Sequence, residues 1–197
     1  VFERELRSVA FVEGVSVLAA TGPEGLWRID LKSFDEPELV LDVSLWDVVL
    51  ASDAPILAAQ GRDMVHLLDS ATWQPFQRLL GVAQLEYLSL SRDGARVAAG
   101  SWRGFGVHVW DVAEPHAPRQ FFAELPHISA ALSPDGSLIA TTTGERFELV
   151  RAESGEKLLS IERQRAFGVT PGPVAFRPDG GLVAFGFSSA TVRLVEV

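Results

Sequence analysis

The segment Ala130–Thr141, AALSPDGSLIAT, decides the fold, because it contains two short apolar runs joined by the turn Ser133-Pro134-Asp135-Gly136. Aspartate followed by glycine between two such runs is a strong signal for a β-hairpin, since glycine accepts the positive φ that tight turns need. Pro134 presets the φ of the first corner of the turn. The segment therefore predicts two antiparallel strands.

The same hairpin pattern recurs along the chain. The five copies are Val9–Ala20, Val48–Ala59, Leu88–Ala99, Ala130–Thr141 and Val174–Phe185. Their acidic turn residues are Glu13, Asp53, Asp93, Asp135 and Asp179, which are separated by 40, 40, 42 and 44 residues. A period of about 40 residues with no helical pattern between the copies predicts an all-β repeat.

Two further strands are expected after each hairpin. The third strands are Leu26–Leu31, Val65–Asp69, Val107–Val112, Phe147–Arg151 and Val192–Val197. The fourth strands are Leu39–Val43, Phe76–Leu80, Gln120–Leu125 and Lys157–Ile161. Four strands in about 40 residues make one blade of a β-propeller.

The fold class that follows is all-β: a single domain over residues 1–197, forming a β-propeller of about five four-stranded blades. The units lie near residues 9–43, 48–80, 87–125, 128–161 and 173–197, the last joined by residues 1–8. Val1–Arg7 resembles a fourth strand, so we expect it to pair into the last blade and close the ring, which protects strand edges. The alternative is an open array in the same register, cut from a larger propeller.

Motifs in three units resemble those of WD-repeat β-propellers, and the resemblance covers essentially the whole chain. Val107–Asp111 ends in the family's Trp-Asp pair, and Leu132–Gly136 and Phe176–Gly180 match its first hairpin. The other units depart from the Trp-Asp pair, carrying Ile29-Asp30, Leu68-Asp69, Val150-Arg151 and Val195-Glu196. The family's Gly-His dipeptide is absent from every unit. The resemblance implies a protein-binding propeller, here without the buried His–Ser–Trp–Asp network that such motifs build.

Composition limits the partners. The chain has 17 basic and 26 acidic residues, a formal net charge of −9, and no cysteine. Such a charge repels a phosphate backbone, so a nucleic-acid partner is not expected. The apolar runs are far shorter than the roughly 20 residues of a membrane helix, so no membrane partner is expected either. We expect a cytoplasmic location.

Catalytic motifs are sparse. The four histidines, His66, His108, His116 and His127, are scattered without the spacing of a metal-binding pair. The turn carboxylates belong to separate units and lack the dense ligand run of a calcium loop. We therefore expect no enzyme activity, no cofactor and no metal. A catalytic or carbohydrate-binding propeller that uses carboxylates at the channel mouth stays open as the alternative.

Large and charged residues in the loops predict a binding surface. In a propeller, the loops from second to third strands and from fourth to next first strands share one face. The residues assigned to that face are Trp46, Arg62, Tyr87, Trp102, Arg103, Phe105, His127, Arg146, Arg165 and Phe167. Trp and Arg dominate binding hot spots. For Trp102 a lid over its own blade is the competing interpretation.

The function predicted from these features is a non-catalytic interaction scaffold or regulatory module within a larger protein. Its partner would be a protein or peptide, or another domain of the same parent chain. The functional step rests on analogy between folds. A third hypothesis is self-assembly of an incomplete array through its open ends.

Overall fold

The computed structural model of the chain describes residues 5–12, 17–33, 36–81, 85–101, 106–123, 129–143, 146–162, 171–187 and 191–197. Nineteen strands are present in these ranges, and no helix. Consequently no helix in the described ranges is long and apolar enough to cross a membrane.

The strands form five antiparallel sheets, each built from one sequence unit. Sheet 1 contains β1 Ser8–Val12, β2 Val17–Gly22, β3 Gly25–Asp30 and β4 Glu38–Leu41. Sheet 2 contains β5 Asp47–Leu50, β6 Ile56–Gln60, β7 Met64–Asp69 and β8 Pro75–Leu80. Sheet 3 contains β9 Leu85–Leu90, β10 Arg96–Ser101, β11 Val107–Asp111 and β12 Glu114–Phe121. Sheet 4 contains β13 Ser129–Leu132, β14 Leu138–Thr142, β15 Arg146–Arg151 and β16 Lys157–Glu162. Sheet 5 contains β17 Pro171–Phe176, β18 Leu182–Phe187 and β19 Thr191–Glu196. Sequentially paired strands in successive sheets make a β-propeller-like array.

One apolar layer lies between each pair of successive sheets. Leu57 of sheet 2 packs against sheet 1, and Leu67 of the same sheet packs against sheet 3. Ile139 and Phe147 play the corresponding roles on the two faces of sheet 4. Because each interior sheet is apolar on both faces, its strands read as continuous apolar runs rather than as alternating ones.

The three predicted Asp-Gly turns are present, whereas the predicted turn at Glu13 lies outside the described residues. Gly94, Gly136 and Gly180 have φ values of 72°, 70° and 80°. In each turn the glycine N–H donates to the carbonyl three residues earlier, on Ser91, Ser133 and Arg177. The aspartate before each glycine accepts the N–H two residues ahead, as at Asp135, whose Oδ1 lies 3.0 Å from the Ser137 nitrogen. The turn chemistry is therefore as the sequence predicts.

Polar side chains tie successive sheets together at one end of their strands. The Gln60 Nε2 atom donates to the Leu85 carbonyl at 2.5 Å, and the Thr142 hydroxyl donates to the Gly172 carbonyl at 2.5 Å. Gln60 and Thr142 both end the second strand of their sheets. These links were not predicted, because their partners are backbone carbonyls that a sequence pattern does not mark.

The Trp-Asp pair of sheet 3 has a structural role. The Trp110 side chain is fully buried, and its Nε1 donates to the Leu80 carbonyl of sheet 2 at 3.2 Å. Asp111 bonds the guanidinium groups of Arg96 at 2.8 Å and Arg119 at 2.6 Å. The indole of Trp110 thus links sheet 3 to the backbone of sheet 2.

Most predicted strands agree with the structure to within one or two residues, but one fourth strand is displaced. The fourth strand of sheet 3, predicted over Gln120–Leu125, is Glu114–Phe121. Its prolines, Pro115 and Pro118, hid the strand, since proline is tolerated only in edge strands and this strand is an edge of its sheet.

Of the predicted closing strand, Val1–Arg7, the structure describes only residues 5–7. Residues 1–4 lie outside the described ranges, and residues 5–7 have no strand assignment. The Arg7 N–H donates to the Thr21 carbonyl at 2.8 Å, so this stretch continues along sheet 1. Sheet 5 has three strands in the described part of the chain. The structure does not show a closed ring, and closure by the first residues remains a prediction.

Glycine substitutions test the backbone geometry. At Gly180 a methyl group would meet only the Pro134 ring, with Cδ at 3.6 Å and Cγ at 4.0 Å, so Gly180→Ala should cost about 1–2 kcal/mol for the positive φ alone. At Gly106, where φ is 69°, the added Cβ would overlap the Phe121 carbonyl oxygen. Gly106→Ala should therefore lower the free energy of unfolding, measured in urea, by clearly more than Gly180→Ala. Equal losses would contradict the assigned geometry.

Candidate interaction surface

Four of the ten predicted surface residues, Trp46, Arg62, Tyr87 and Arg146, lie in the described ranges. The other six lie outside the described residues; they are Trp102, Arg103, Phe105, His127, Arg165 and Phe167.

Trp46 lies in the connection from sheet 1 to sheet 2 and is held in place from two sides. Its N–H donates to the Gln60 carbonyl at 2.8 Å, at the end of β6. The Arg7 guanidinium carbon lies 3.7 Å from the centroid of the indole ring. Arg7 is itself fixed by donating to the Leu45 carbonyl at 3.2 Å and to the Ser44 hydroxyl at 3.3 Å. The indole nevertheless stays 50% exposed, so a fixed aromatic surface faces solvent.

Arg62 lies at the same end of the sheets as Trp46. It is exposed, in the connection from β6 to β7, and its carbonyl accepts the Leu85 N–H at 3.2 Å. The adjacent Asp63 carbonyl accepts the Gly81 N–H at 3.0 Å. The segment that enters sheet 3 therefore lies against the β6–β7 connection. A loop between two successive sheets and a loop between second and third strands thus meet on one face.

Tyr87 lies close to this face because of a β-bulge in β9. Glu86 pairs with Gly100 and Leu88 pairs with Ala99, so Tyr87 has no partner in the register. Its φ is 56°, an uncommon value for an aromatic residue. Burial raises the pKa of the half-buried Tyr87 hydroxyl, and the Glu86 charge raises it further. Bulges of this kind re-aim a side chain near functional sites.

Arg146 is engaged within its own sheet. Its guanidinium lies 3.8 Å from the carboxylate of Glu148, whose side chain is only 2% exposed. Lys157 also pairs with this carboxylate, at 2.5 Å. A buried charge needs such partners, so Arg146 contributes to neutralising Glu148. Arg146 was predicted as a surface residue from its position in a loop, but the buried Glu148 carboxylate beside it was not predicted.

The hairpin turns of sheets 2 to 5 form a cleft of about 660 Å³ on the opposite face. Arg92, in the turn of sheet 3, bonds to three other sheets. Its guanidinium donates to the Asp53 carboxylate at 3.1 Å and to the Pro178 carbonyl at 3.5 Å, and its N–H donates to the Pro134 carbonyl at 2.8 Å. Sequence reasoning missed this cleft, although the regular spacing of the turns placed them at one end of the array.

In this cleft, the carboxylates of Asp93, Asp135 and Asp179 accept hydrogen bonds within their own turns. Bonds from the Ser91 hydroxyl and the Ala95 N–H lower the pKa of Asp93. Burial raises the pKa of Asp135, but bonds from Ser133 and Ser137 outweigh it and leave the pKa below its ordinary value. The Arg177 guanidinium and the Gly181 N–H lower the pKa of Asp179. In the described part of the chain, no group of three or more histidine and carboxylate residues could hold a metal ion.

Comparisons with known proteins inform only the fold. No family model matches the chain, and no curated protein matches it. Among solved structures, hydrazine synthase of Kuenenia stuttgartiensis superposes with a TM-score of 0.72 at 13% sequence identity. The match covers 92% of this chain and 55% of the hydrazine synthase chain. At this identity the likeness is one of fold alone, and this chain spans about half the length of that neighbour.

The pH dependence of stability tests the turn carboxylates. Because the folded-state pKa of Asp135 lies below its ordinary value of 3.8, ionised Asp135 contributes stability that is fully present above that value. This contribution is lost as the pH falls through the lowered pKa. The free energy of unfolding of the wild type should exceed that of Asp135→Asn at neutral pH, and the difference should shrink below about pH 4.

Ser133→Ala provides the comparison variant: it removes one donor, 2.5 Å from the Asp135 carboxylate, together with the acceptor of the Leu138 N–H, and leaves the charge. The difference in unfolding free energy between Ser133→Ala and Asp135→Asn should still shrink below about pH 4, but by less than the difference between the wild type and Asp135→Asn. A difference between wild type and Asp135→Asn that stays constant down to about pH 2.5 would show that the turn does not stabilise the ionised form.

Proposed function

We propose that this chain is a non-catalytic interaction module of the WD-repeat type, which binds a protein segment on the face that carries Trp46, Arg62 and Tyr87. The observation that carries the proposal is the exposed indole of Trp46, fixed by Arg7 and by its backbone bond to Gln60. A side chain that is ordered before binding loses little conformational entropy when a ligand arrives.

The chemistry of this face suits an apolar segment that also carries a carboxylate. The half-exposed Trp46 ring offers a flat apolar surface. Arg62 is exposed on the same face and supplies a donor fork for a carboxylate. Trp and Arg together are the residue types most enriched at the energetic centres of interfaces.

The WD-repeat assignment is supported by local features rather than by any family match. Asp-Gly turns recur in sheets 3, 4 and 5, and Trp110-Asp111 ends the third strand of sheet 3. A role in binding proteins rather than nucleic acid agrees with the net charge of −9. The partner is a separate protein or another part of a parent polypeptide.

We also propose that this chain has no catalytic activity. A general acid in a propeller cleft needs a carboxylate whose pKa is raised toward neutrality. In the turn cleft, hydrogen bonds instead hold the pKa values of Asp93, Asp135 and Asp179 low. These groups serve the turns that contain them.

Substitution of Trp46 tests the proposed face. Short random peptides displayed on phage are selected on the wild-type chain, and the affinities of the selected peptides are measured by fluorescence anisotropy. Trp46→Ala should weaken binding at least about tenfold, the effect of a typical hot-spot aromatic residue. Because the indole is half exposed, the midpoint of urea unfolding should change little.

Phe76→Ala is the matched control. Phe76 is 51% exposed, against 50% for Trp46, but lies on β8, the outer strand of sheet 2. It should leave peptide affinity within about twofold of the wild type. Selected peptides that bind Trp46→Ala as tightly as the wild type would place the binding surface elsewhere.

A further inference from the structure

A cavity of about 480 Å³ lies between sheets 1 and 2, beside the turn that joins β5 to β6. Of its lining residues, Arg28 alone is basic. Most of the others are small or apolar, among them Val12, Leu50, Pro55 and Trp73. Apolar walls with few polar groups are the usual features of a small-ligand site, and the volume lies in the usual range.

Arg28 occupies a position that the interior sheets fill with a buried aliphatic residue. It pairs with Ala19, which is fully buried in the layer between sheets 1 and 2. The equivalent pairs in sheets 2, 3 and 4 are Ala58 with Leu67, Ala98 with Val109 and Ala140 with Leu149. These three aliphatic side chains are at most 4% exposed. Sheet 1 therefore places a guanidinium group where the stacking of sheets favours an apolar side chain.

Most N–H donors of the Arg28 side chain are unbonded. A guanidinium group has five such donors. In the described part of the chain, Arg28 uses one of them, from Nη1 to the Glu38 carboxylate at 3.2 Å, and both side chains of this pair are solvent-exposed. The buried Nε atom has no hydrogen-bond partner among the described residues. An exposed ion pair contributes little to stability, so Glu38 does not offset the cost of an unbonded buried donor.

Trp73 also departs from the repeat. Its N–H donates to the Asp69 carbonyl at 2.7 Å in the turn after β7, and its φ is 62°. The same turn after β15 contains Gly155, whose N–H donates to the Arg151 carbonyl at 2.9 Å and whose φ is 72°. Glycine adopts a positive φ without a steric cost. A turn position suited to glycine thus carries an indole, whose centroid lies 5.8 Å from the guanidinium carbon of Arg28.

We propose that the cavity between sheets 1 and 2 binds a small carboxylic acid that carries an aromatic or branched apolar group. The carboxylate accepts hydrogen bonds from Arg28, because the planar fork of a guanidinium matches the two carboxylate oxygens. The apolar group packs against Trp73 and Leu50, which line the same cavity. The two departures from the repeat meet at this cavity, and one ligand accounts for both.

The charges around the cavity favour a carboxylate over a phosphate. Glu38 already pairs with Arg28, and the carboxylate of Asp53 belongs to a residue that lines the cavity. A phosphate monoester carries a charge of about −1.5 to −2 at neutral pH, so these acidic groups repel it more strongly than a carboxylate. A free small acid and the C-terminus of a peptide offer the same carboxylate chemistry, and separate probes distinguish them.

Titration of the wild-type chain with 3-phenylpropanoate, followed by ligand-detected NMR, tests the cavity. The acid should bind with a dissociation constant of about 1 mM or lower, which is reasonable for a ligand of this size. Its uncharged amide and phenyl phosphate should each bind at least about tenfold more weakly. The peptide Gly-Gly-Phe distinguishes the sources: binding as tight as that of the acid indicates a peptide C-terminus, and weaker binding indicates a free acid.

Substitution of Arg28 separates a binding role from a structural one. Arg28→Leu gives sheet 1 the residue type of sheet 2, and it should weaken binding of 3-phenylpropanoate at least about tenfold. The midpoint of urea unfolding should stay the same or rise, because an apolar side chain suits the layer between the sheets. Trp73→Gly gives the turn the residue of sheet 4 and should weaken binding at least about fivefold.

Arg151→Leu is the matched control. Arg151 forms an exposed ion pair with Glu156 at 2.9 Å, as Arg28 does with Glu38, but it lies on sheet 4. This variant should bind 3-phenylpropanoate within about twofold of the wild type, since it changes the net charge by the same amount without touching the cavity.

Three results would overturn the proposal. The first is a wild type that binds neither 3-phenylpropanoate nor Gly-Gly-Phe below about 10 mM. The second is an amide that binds as tightly as the acid, which would leave no role for the guanidinium. The third is an Arg28→Leu variant that binds as the wild type does, or that unfolds at a lower urea concentration, which would assign Arg28 to the stability of the stack.

Discussion

The structure depends on the need of each sheet to hide two apolar faces. A sheet of this size cannot bury its two faces by itself, so sheets 2, 3 and 4 each lie between two others. Leu57 and Leu67 show the constraint within sheet 2, because they are both fully buried and belong to opposite faces. Burial of a leucine side chain contributes about 1.5–3 kcal/mol, so the stacked layers dominate the stability of the fold. All loops and turns are positioned by this stacking.

Stacking also explains why polar groups collect at the two ends of the strands. Between the sheets, the buried carboxylate of Glu148 has Lys157 and Arg146 beside it. At one end, Gln60 and Thr142 bond the backbone of the next sheet. At the other end, the hairpin turns meet around Arg92. The loops therefore have fixed positions, which is the property that an interaction surface needs.

The features of the fold that could be predicted from the sequence follow from turn chemistry and from the spacing of the turns. The hairpin turns follow from Asp-Gly chemistry, and the sheet order follows from the regular spacing of the turns. The fourth strand of sheet 3 was misplaced because Pro115 and Pro118 are unfavourable in most strands, and only the edge position permits them. For the surface, loop position was enough to select Trp46 and Arg62. The stacking of Arg7 on Trp46 joins residues 39 positions apart, and only the packing of sheet 1 on sheet 2 creates it.

Three aromatic residues in the described part of the chain have a positive φ. Trp73, Tyr87 and Phe122 have φ values of 62°, 56° and 58°, each costing about 1–3 kcal/mol. Trp73 packs on the layer between sheets 1 and 2, and Phe122 packs on the layer between sheets 3 and 4, so buried apolar contacts offset their strain. Tyr87 belongs to none of the apolar clusters formed by the described residues, and its bulge stands in the first strand of sheet 3 beside the loop face. The positive φ of Tyr87 accompanies this bulge, which re-aims the side chain beside the loop face.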